Sequence, residues 1–315
     1  MPRREELRLI AKVANLYYGD HLKQTEIAKR LDLSQAGVSR LLKRALDEKI
    51  VRISVNTPSG YYPDVENTIR DKYDLKEVIV VDYADNRDQL LRNLGAGAAY
   101  YLENTIKAND FIGISSWSEA LLATANTMLR LGSSINVNVI QILGGLGNPK
   151  SESHASQLTR QLAELVNGEA IMLPAPGIVG TAETRVILMQ DPYLQDALTQ
   201  FDKVTLALVG IGTVEPSHVL ANSGNAFPSD ELDMLRQGNA VGDVCLRFFD
   251  EQGQPVETPL NDRVIGMSLQ ELKKVRRTIG VAGGKRKHKA IRAALFGGWI
   301  NILVTDYETA MFLVM

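Results

Sequence analysis

Apolar residues recur at helical spacing from Leu7 to Tyr18, at Leu7, Ile10, Val13 with Ala14, and Tyr17. That pattern predicts an amphipathic helix, which Gly19-Asp20 closes. A second helix is predicted from Gln24 to Leu31, with Ile27, Ala28 and Leu31 on one face. After an Asp32-Leu33 turn, Ser34 is a good N-cap for a third helix, Gln35 to Glu48, because its hydroxyl can accept from an unpaired backbone N–H. Val38, Leu41, Leu42 and Ala45 form the inner face of that helix. Ala28 supplies the small residue where two short helices cross steeply, and Asp32 occupies the turn position often held by glycine. Aspartate tolerates the left-handed conformation better than most residues. Together the three helices predict a helix-turn-helix.

Val51 to Val55 alternates apolar and polar residues, a strand pattern suited to a wing or a hinge. Thr57-Pro58-Ser59-Gly60 has the composition of a turn and linker. The expected division is therefore 1–57 for a small all-α domain and 58–315 for a larger one. In the larger part, short apolar runs alternate with helical stretches. The runs are Val78–Val81, Phe111–Ser115, Val137–Leu143, Leu206–Val209, Ile279–Ala282 and Ile302–Val304, with helices such as Leu90–Ile106 and Ala120–Leu131 between them. Continuous apolar strands separated by helices predict a parallel sheet covered on both faces, an α/β doubly wound domain.

Charge divides the chain in the same place. Residues 1–57 hold twelve Lys and Arg against seven Asp and Glu, a net of +5, while residues 58–315 carry a net of −7. The excess of positive charge places a nucleic-acid contact at the N-terminus. On the outer face of the third helix, Gln35, Ala36, Ser39, Arg40, Lys43 and Arg44 suit a recognition helix in the major groove. Gln35 can pair with adenine, and Arg40 with guanine or a phosphate. Lys43 and Arg44 are expected to hold phosphates, which add affinity without sequence information. Gln24, Thr25 and Ser34 complete the expected DNA-binding set. The bland alternative is a helical hairpin with a solvated basic face.

The single cysteine, Cys245, lies in the apolar run Val244-Cys245-Leu246 and reads as a small core hydrophobe. It excludes a disulfide framework and a multi-cysteine zinc site. The four histidines, His21, His154, His218 and His288, show no metal-ligand spacing and are expected on surfaces or loops. No metal or cofactor is expected, and no strand-to-helix turn reads as GxGxxG or as a P-loop. No segment reaches the length of an apolar membrane span, and the charged N-terminus lacks the apolar core of a secretory signal, so a cytoplasmic protein is expected.

Repeatedly in the larger part a strand stops at Gly, Ser or Thr and a helix begins. Ligands in such sheets bind at the carboxyl ends of strands, and helix N-termini there favour anions. The expected effector set is Ser116, Ser118, Glu119, Gly144, Gly145, Gly212, Asp243 and Lys287. Asp243 and Lys287 are the charged members near strand ends; a capping aspartate and a solvated basic turn are their plainer readings.

The residues also carry a resemblance. LYYGDHLKQTEIAKRLDLSQAGVSRLLKRA near the N-terminus is followed by LPAP at Leu173–Pro176, LVGIG at Leu208–Gly212 and VGD at Val241–Asp243. RFFD at Arg247–Asp250, LNDRVIG at Leu260–Gly266, VAGG at Val281–Gly284 followed by Lys287, and LVTD at Leu303–Asp306 complete the series. In these motifs the chain resembles the SorC/DeoR-type sugar-operon regulators of bacteria over nearly its whole length. The resemblance implies a sensor domain like that of sugar-phosphate isomerases and glucosamine-phosphate deaminases, with catalysis lost. It implies operator-bound dimers or tetramers and a phosphorylated sugar or polyol effector. Asp243 would then hold effector hydroxyls and Lys287 the phosphate or another anionic end.

Ser116-Trp117-Ser118-Glu119 departs from the pattern, which often reads SWG followed by a basic or small residue. An acidic Glu119 near a phosphate would repel it. Either Glu119 points away, or the effector is an unphosphorylated sugar or polyol. The expected activity is transcription regulation without catalysis, in which operator double-stranded DNA and a small-molecule effector are the partners. The alternative is a sugar-phosphate isomerase or deaminase with an appended DNA-binding module, in which Asp243, Glu119 and Lys287 would serve as acid and base.

Overall fold

The computed structural model describes residues 3–51, 60–132, 137–147, 149–216, 220–221 and 227–315, with residues 3–4 and 149–154 described by their backbone alone. Two compact units emerge, Met1–Pro58 and Ser59–Met315.

In the first unit, α1 (Arg3–Ala14) runs into a π-helical turn, Asn15–Gly19, and is followed by α2 (Gln24–Leu31) and α3 (Gln35–Asp47). The predicted first helix thus begins one turn earlier and is wider-wound at its end. Val13, Leu16, Ile27, Ala28, Val38 and Leu42 are buried together, and Ile10, Ala14 and Ala45 close a second small cluster. Asp32 adopts the left-handed conformation at φ 54°, ψ 44°, and ends α2. The Ser34 hydroxyl accepts from the Gly37 N–H at 3.0 Å, which starts α3. The strand predicted at 51–55 and most of the predicted linker lie outside the described residues.

The second unit is built on a seven-stranded, wholly parallel sheet. Its strands are β1 (Glu77–Val81), β2 (Phe111–Ile114), β3 (Asn138–Gln141), β4 (Glu169–Ile171), β5 (Leu206–Gly210), β8 (Arg277–Val281) and β9 (Ile302–Asp306). The order across the sheet is β1-β9-β8-β5-β2-β3-β4. Such a sheet is apolar on both faces because helices cover both. Val78 and Val80 of β1 join one core layer, and Ile79 and Val81 pack against the other. A separate antiparallel hairpin, β6 (Gly242–Val244) and β7 (Arg247–Phe249), sits where the sequence predicts one apolar run. β4, only three residues long, has no counterpart in the predicted strands.

The topology fixes the place of a ligand site. From β2 the chain goes to β3 and β4 on one side, then returns to β5 on the other side of β2. The loops leaving β2 and β5 diverge at that switch point, and a crevice opens outside their carboxyl ends. Among the described residues no helix is long and apolar enough to cross a membrane.

Candidate functional site

A cleft lies at this switch point. Its walls come from the loop after β2 (Ser115 to Glu119), the loop after β5 (Gly210 to Thr213), the β6–β7 hairpin (Asp243, Cys245, Leu246), the loop after β8 (Ala282, Gly283, Lys287) and helix Arg87–Thr105. It holds about 910 Å³ of empty space including its open mouth. Leu90, Leu91 and Leu94 give it an apolar side opposite the polar groups.

The loop after β2 is tightly held. The Ser115 hydroxyl accepts from the Gly210 N–H at 3.3 Å, which joins the ends of β2 and β5. Ser116 donates to the Leu143 carbonyl at 2.8 Å, and the Trp117 indole donates to the Gly144 carbonyl at 3.3 Å. Trp117 is buried with φ at 42°, a left-handed backbone rare for so bulky a residue. Ser118 caps helix Glu119–Thr127 by accepting from the Leu121 N–H. The chain therefore delivers Glu119 to the cleft at a fixed helix start, where its carboxylate pairs with Arg87, the first residue of helix Arg87–Thr105.

Asp243 is buried, and its backbone bridges to Gly212 on both sides, with N–H···O distances of 2.9 and 3.3 Å. A side chain at Gly212 would run into the Asp243 carboxylate, so glycine is what allows this approach. One carboxylate oxygen of Asp243 accepts from the Leu246 N–H at 3.0 Å. That bond spans a two-residue turn in which Cys245 (φ 53°) and Leu246 (φ 59°) are both left-handed. Such hairpin turns favour Asn and Gly; here buried Cys and Leu take the places, and strain of this kind collects at ligand sites. Cys245 is buried as predicted, but in a strained turn on the cleft wall, where burial pushes its thiol up and holds it protonated.

Burial pushes the Asp243 carboxyl up from 3.8 to about 6, opposed by the Leu246 N–H and by the Lys287 charge. Lys287 ends the short turn Lys285–Lys287 just before helix His288–Gly297 and donates to the Ile211 carbonyl at 2.6 Å. Burial lowers its pKa, while Asp243 and Glu119 act in the other direction. The loop carrying it is anchored by buried Asp306, which accepts from the Gly284 N–H at 2.7 Å and the Thr309 hydroxyl at 2.6 Å. Among the described residues no group of three or more His, Cys, Asp and Glu could hold a metal ion.

Six of the eight predicted effector residues thus line one cleft: Ser116, Ser118, Glu119, Gly212, Asp243 and Lys287. Gly144 and Gly145 do not. Gly144 lets its loop approach the backbone of Ala175 and Pro176 closely and donates to the Ile265 carbonyl, while Gly145 packs against the Gln141 side chain. Arg87, Trp117, Thr213 and Leu246 line the cleft without having been predicted. The sequence signal for Arg87 was Asn86, which accepts from the Gln89 N–H and starts the helix one turn before its first predicted residue. His288 is neither a surface nor a loop residue: it begins a helix, half-buried, and stacks on Phe312 with ring centres 4.6 Å apart. His21 is exposed, His154 falls within helix Pro149–Leu165 with its side chain outside the description, and His218 lies outside the described residues.

In the N-terminal unit, Thr25, Ser34, Gln35, Ala36, Ser39, Arg40 and Lys43 are exposed, and Gln24 is half-buried. Arg44 differs. It pairs with Glu6 of α1 and, at 2.7 Å, with Glu48. The two carboxylates raise its pKa further, so it ties α3 to α1 rather than standing free for a phosphate.

Residues 62–315 match the family described as "Putative sugar-binding domain". The chain is 32% identical to the deoxyribonucleoside regulator of Bacillus subtilis, over 99% of this chain and 98% of that protein. It is 31% identical to the sorbitol operon regulator of Klebsiella pneumoniae, over 98% of each. The crystal structure of the full-length sorbitol operon regulator SorC from Klebsiella pneumoniae superimposes with a TM-score of 0.75 at 30% identity, covering 99% of this chain and all of that one. The sugar-binding domain of a DeoR regulator from Pseudomonas syringae gives 0.63 at 35% identity, over 81% of this chain and all of that one. With a family match across the whole α/β unit and relatives aligned from end to end, the chain belongs to the SorC/DeoR-type family of sugar-operon transcriptional regulators, DNA-binding proteins controlled through a sugar-binding domain.

Proposed function

We propose that residues 1–57 bind operator DNA through the exposed face of α3 and that residues 58–315 bind a small polyhydroxylated effector in the switch-point cleft. One observation carries the reading: a buried carboxylate, a half-buried ammonium and one tied serine loop converge at the carboxyl ends of β2, β5 and β8. Acceptors and donors fixed in this way bind hydroxyl groups with little ordering cost. Asp243 accepts from effector hydroxyls, Lys287 and Ser118 donate, and the leucines of helix Arg87–Thr105 cover the carbon skeleton.

The effector can shift DNA affinity only by its difference in affinity for two arrangements of the protein. In a dimer or tetramer, that difference sets the spacing of two recognition helices on repeated half-sites. The protein acts in the cytoplasm, where the operator is. Binding rather than turnover is favoured because relatives aligned with this chain from end to end are named as regulators.

Thermal melting against paired sugars, polyols and their phosphates tests the reading. Ligand at a hundredfold excess over Kd stabilises the folded state by about 2.7 kcal/mol. The expected result is a shift with one ligand class that Lys287→Ala abolishes. No shift across the panel, or a shift unchanged in Lys287→Ala, would remove the cleft from the account.

A further inference from the structure

The rim of the cleft carries an ion pair that joins the starts of two helices. Glu119 is the first residue of helix Glu119–Thr127, and Arg87 the first of helix Arg87–Thr105. A carboxylate is favoured at a helix N-terminus and a guanidinium is disfavoured there. Glu119 therefore occupies the position at which its own helix would welcome an anion, and it neutralises the cation beside it. The Glu119 side chain is 24% exposed and that of Arg87 62%, so the acid is the inner member of the pair.

Four charged groups line the cleft, Arg87, Glu119, Asp243 and Lys287, and Lys287 feels the other three. Lys287 responds to Asp243 and Glu119 in one direction and to Arg87 and, outside this lining, Arg286 in the other. Formally, Arg87 and Lys287 cancel Asp243 and Glu119. An entering phosphate would meet Arg87 already paired and two carboxylates on the walls. An uncharged polyol would meet the same donors and acceptors and exchange no ion pair.

We propose that the Arg87–Glu119 pair makes this cleft selective for uncharged sugars or polyols over their phosphate esters, with Glu119 as the specificity-determining residue. This inference rests on the effector reading of the cleft. It adds that the effector carries no phosphate, and it assigns that discrimination to a side chain on the rim. Replacing Glu119 with glutamine keeps the shape and frees the Arg87 charge and the helix N-terminus for an anion.

The test uses the full-length chain and three probes: inorganic phosphate alone, a hexitol and the matching hexitol phosphate. Removing one negative charge several ångströms from a bound phosphate is expected to raise affinity by about tenfold or more. Glu119→Gln should therefore bind inorganic phosphate at least about tenfold more tightly than the parent, and shift its preference between the ester and the hexitol by a similar factor. Arg87→Gln alone should show no gain, and the double variant should lose the gain of Glu119→Gln. Three results would overturn the proposal: no gain in phosphate affinity with Glu119→Gln, a gain that survives in the double variant, or a parent protein that prefers the ester. The phosphate titration decides the question even if neither hexitol probe binds. Failure of the effector reading would appear separately, as sugars and esters alike leaving DNA affinity unchanged.

Discussion

Replacing Asp243 with asparagine isolates what burial costs this site. The carboxyl is shifted from 3.8 in water to about 6 in the fold, chiefly by burial. At about 1.36 kcal/mol per pKa unit, the charged form costs the fold about 3 kcal/mol. The sign follows from linkage: the folded state holds this proton more tightly than the unfolded chain. The cost is therefore absent below about pH 4, grows as pH rises from 4 to 6, and is fully present above that. Asparagine keeps an acceptor for the Leu246 N–H but removes the charge. The Lys287 ammonium loses its counter-charge, which offsets part of the gain. The Cys245 thiol on the same turn is held protonated and adds nothing to the slope.

Without effector, Asp243→Asn should therefore be more stable than the parent at pH 8, by roughly 1–3 kcal/mol, and the melting transition should rise by about 3–8 °C. The advantage should vanish near pH 4. Effector binding should be lost at every pH, because the amide cannot accept as a carboxylate does. Differential scanning calorimetry of both proteins from pH 4 to pH 8.5, with and without effector, reads all of this. An advantage that does not change with pH, or a variant less stable at pH 8, would refute the reasoning that a buried, costly carboxylate is kept for the ligand.

In the N-terminal unit, Arg40→Ala should weaken operator binding and flatten its salt dependence while leaving thermal stability unchanged, as followed by fluorescence anisotropy at several salt concentrations. Arg44→Ala should instead lower the melting temperature of that unit, because it cuts α3 from Glu6; equal melting of the two variants would restore Arg44 to the DNA-contact set. Ser34→Ala removes the cap of α3 and should cost about 1 kcal/mol by denaturant melting, with a larger effect on the helical unit than on the sheet. Gly212→Ala forces its new methyl group against the Asp243 carboxylate and should destabilise by roughly 1–3 kcal/mol while weakening effector binding; a variant as stable as the parent would contradict the close packing.

What could be read from the sequence was what depends on neighbours along the chain. The helical spacing of Ile27, Val38 and Leu42, the cap at Ser34 and the β-branched runs of the parallel strands report local geometry directly. What escaped depended on partners far away. Arg44 reads as a phosphate ligand until Glu6, 38 residues distant, takes it. Gly144 and Gly145 have the same strand-end signature as Gly212, yet their space is taken by Pro176 and by the Gln141 side chain rather than left to a ligand. The turn at Cys245-Leu246 carries none of the Asn or Gly that marks a hairpin, because strain there is held by burial and by the Asp243 carboxylate. Glu119 could be flagged as a departure from the family pattern, but only the fold reveals Arg87 beside it.

The central claim, that occupancy of the switch-point cleft controls DNA binding by α3, is tested most directly by one titration. Operator fragments from upstream of the gene would be bound to the purified protein at fixed salt, and the effector found by melting would be added, with the parent and Lys287→Ala compared. The effector should change the DNA affinity of the parent and leave that of Lys287→Ala unaltered, while both bind DNA equally well without it. An effector response that persists in Lys287→Ala, or an effector that fills the cleft of the parent without moving its DNA affinity, would contradict it.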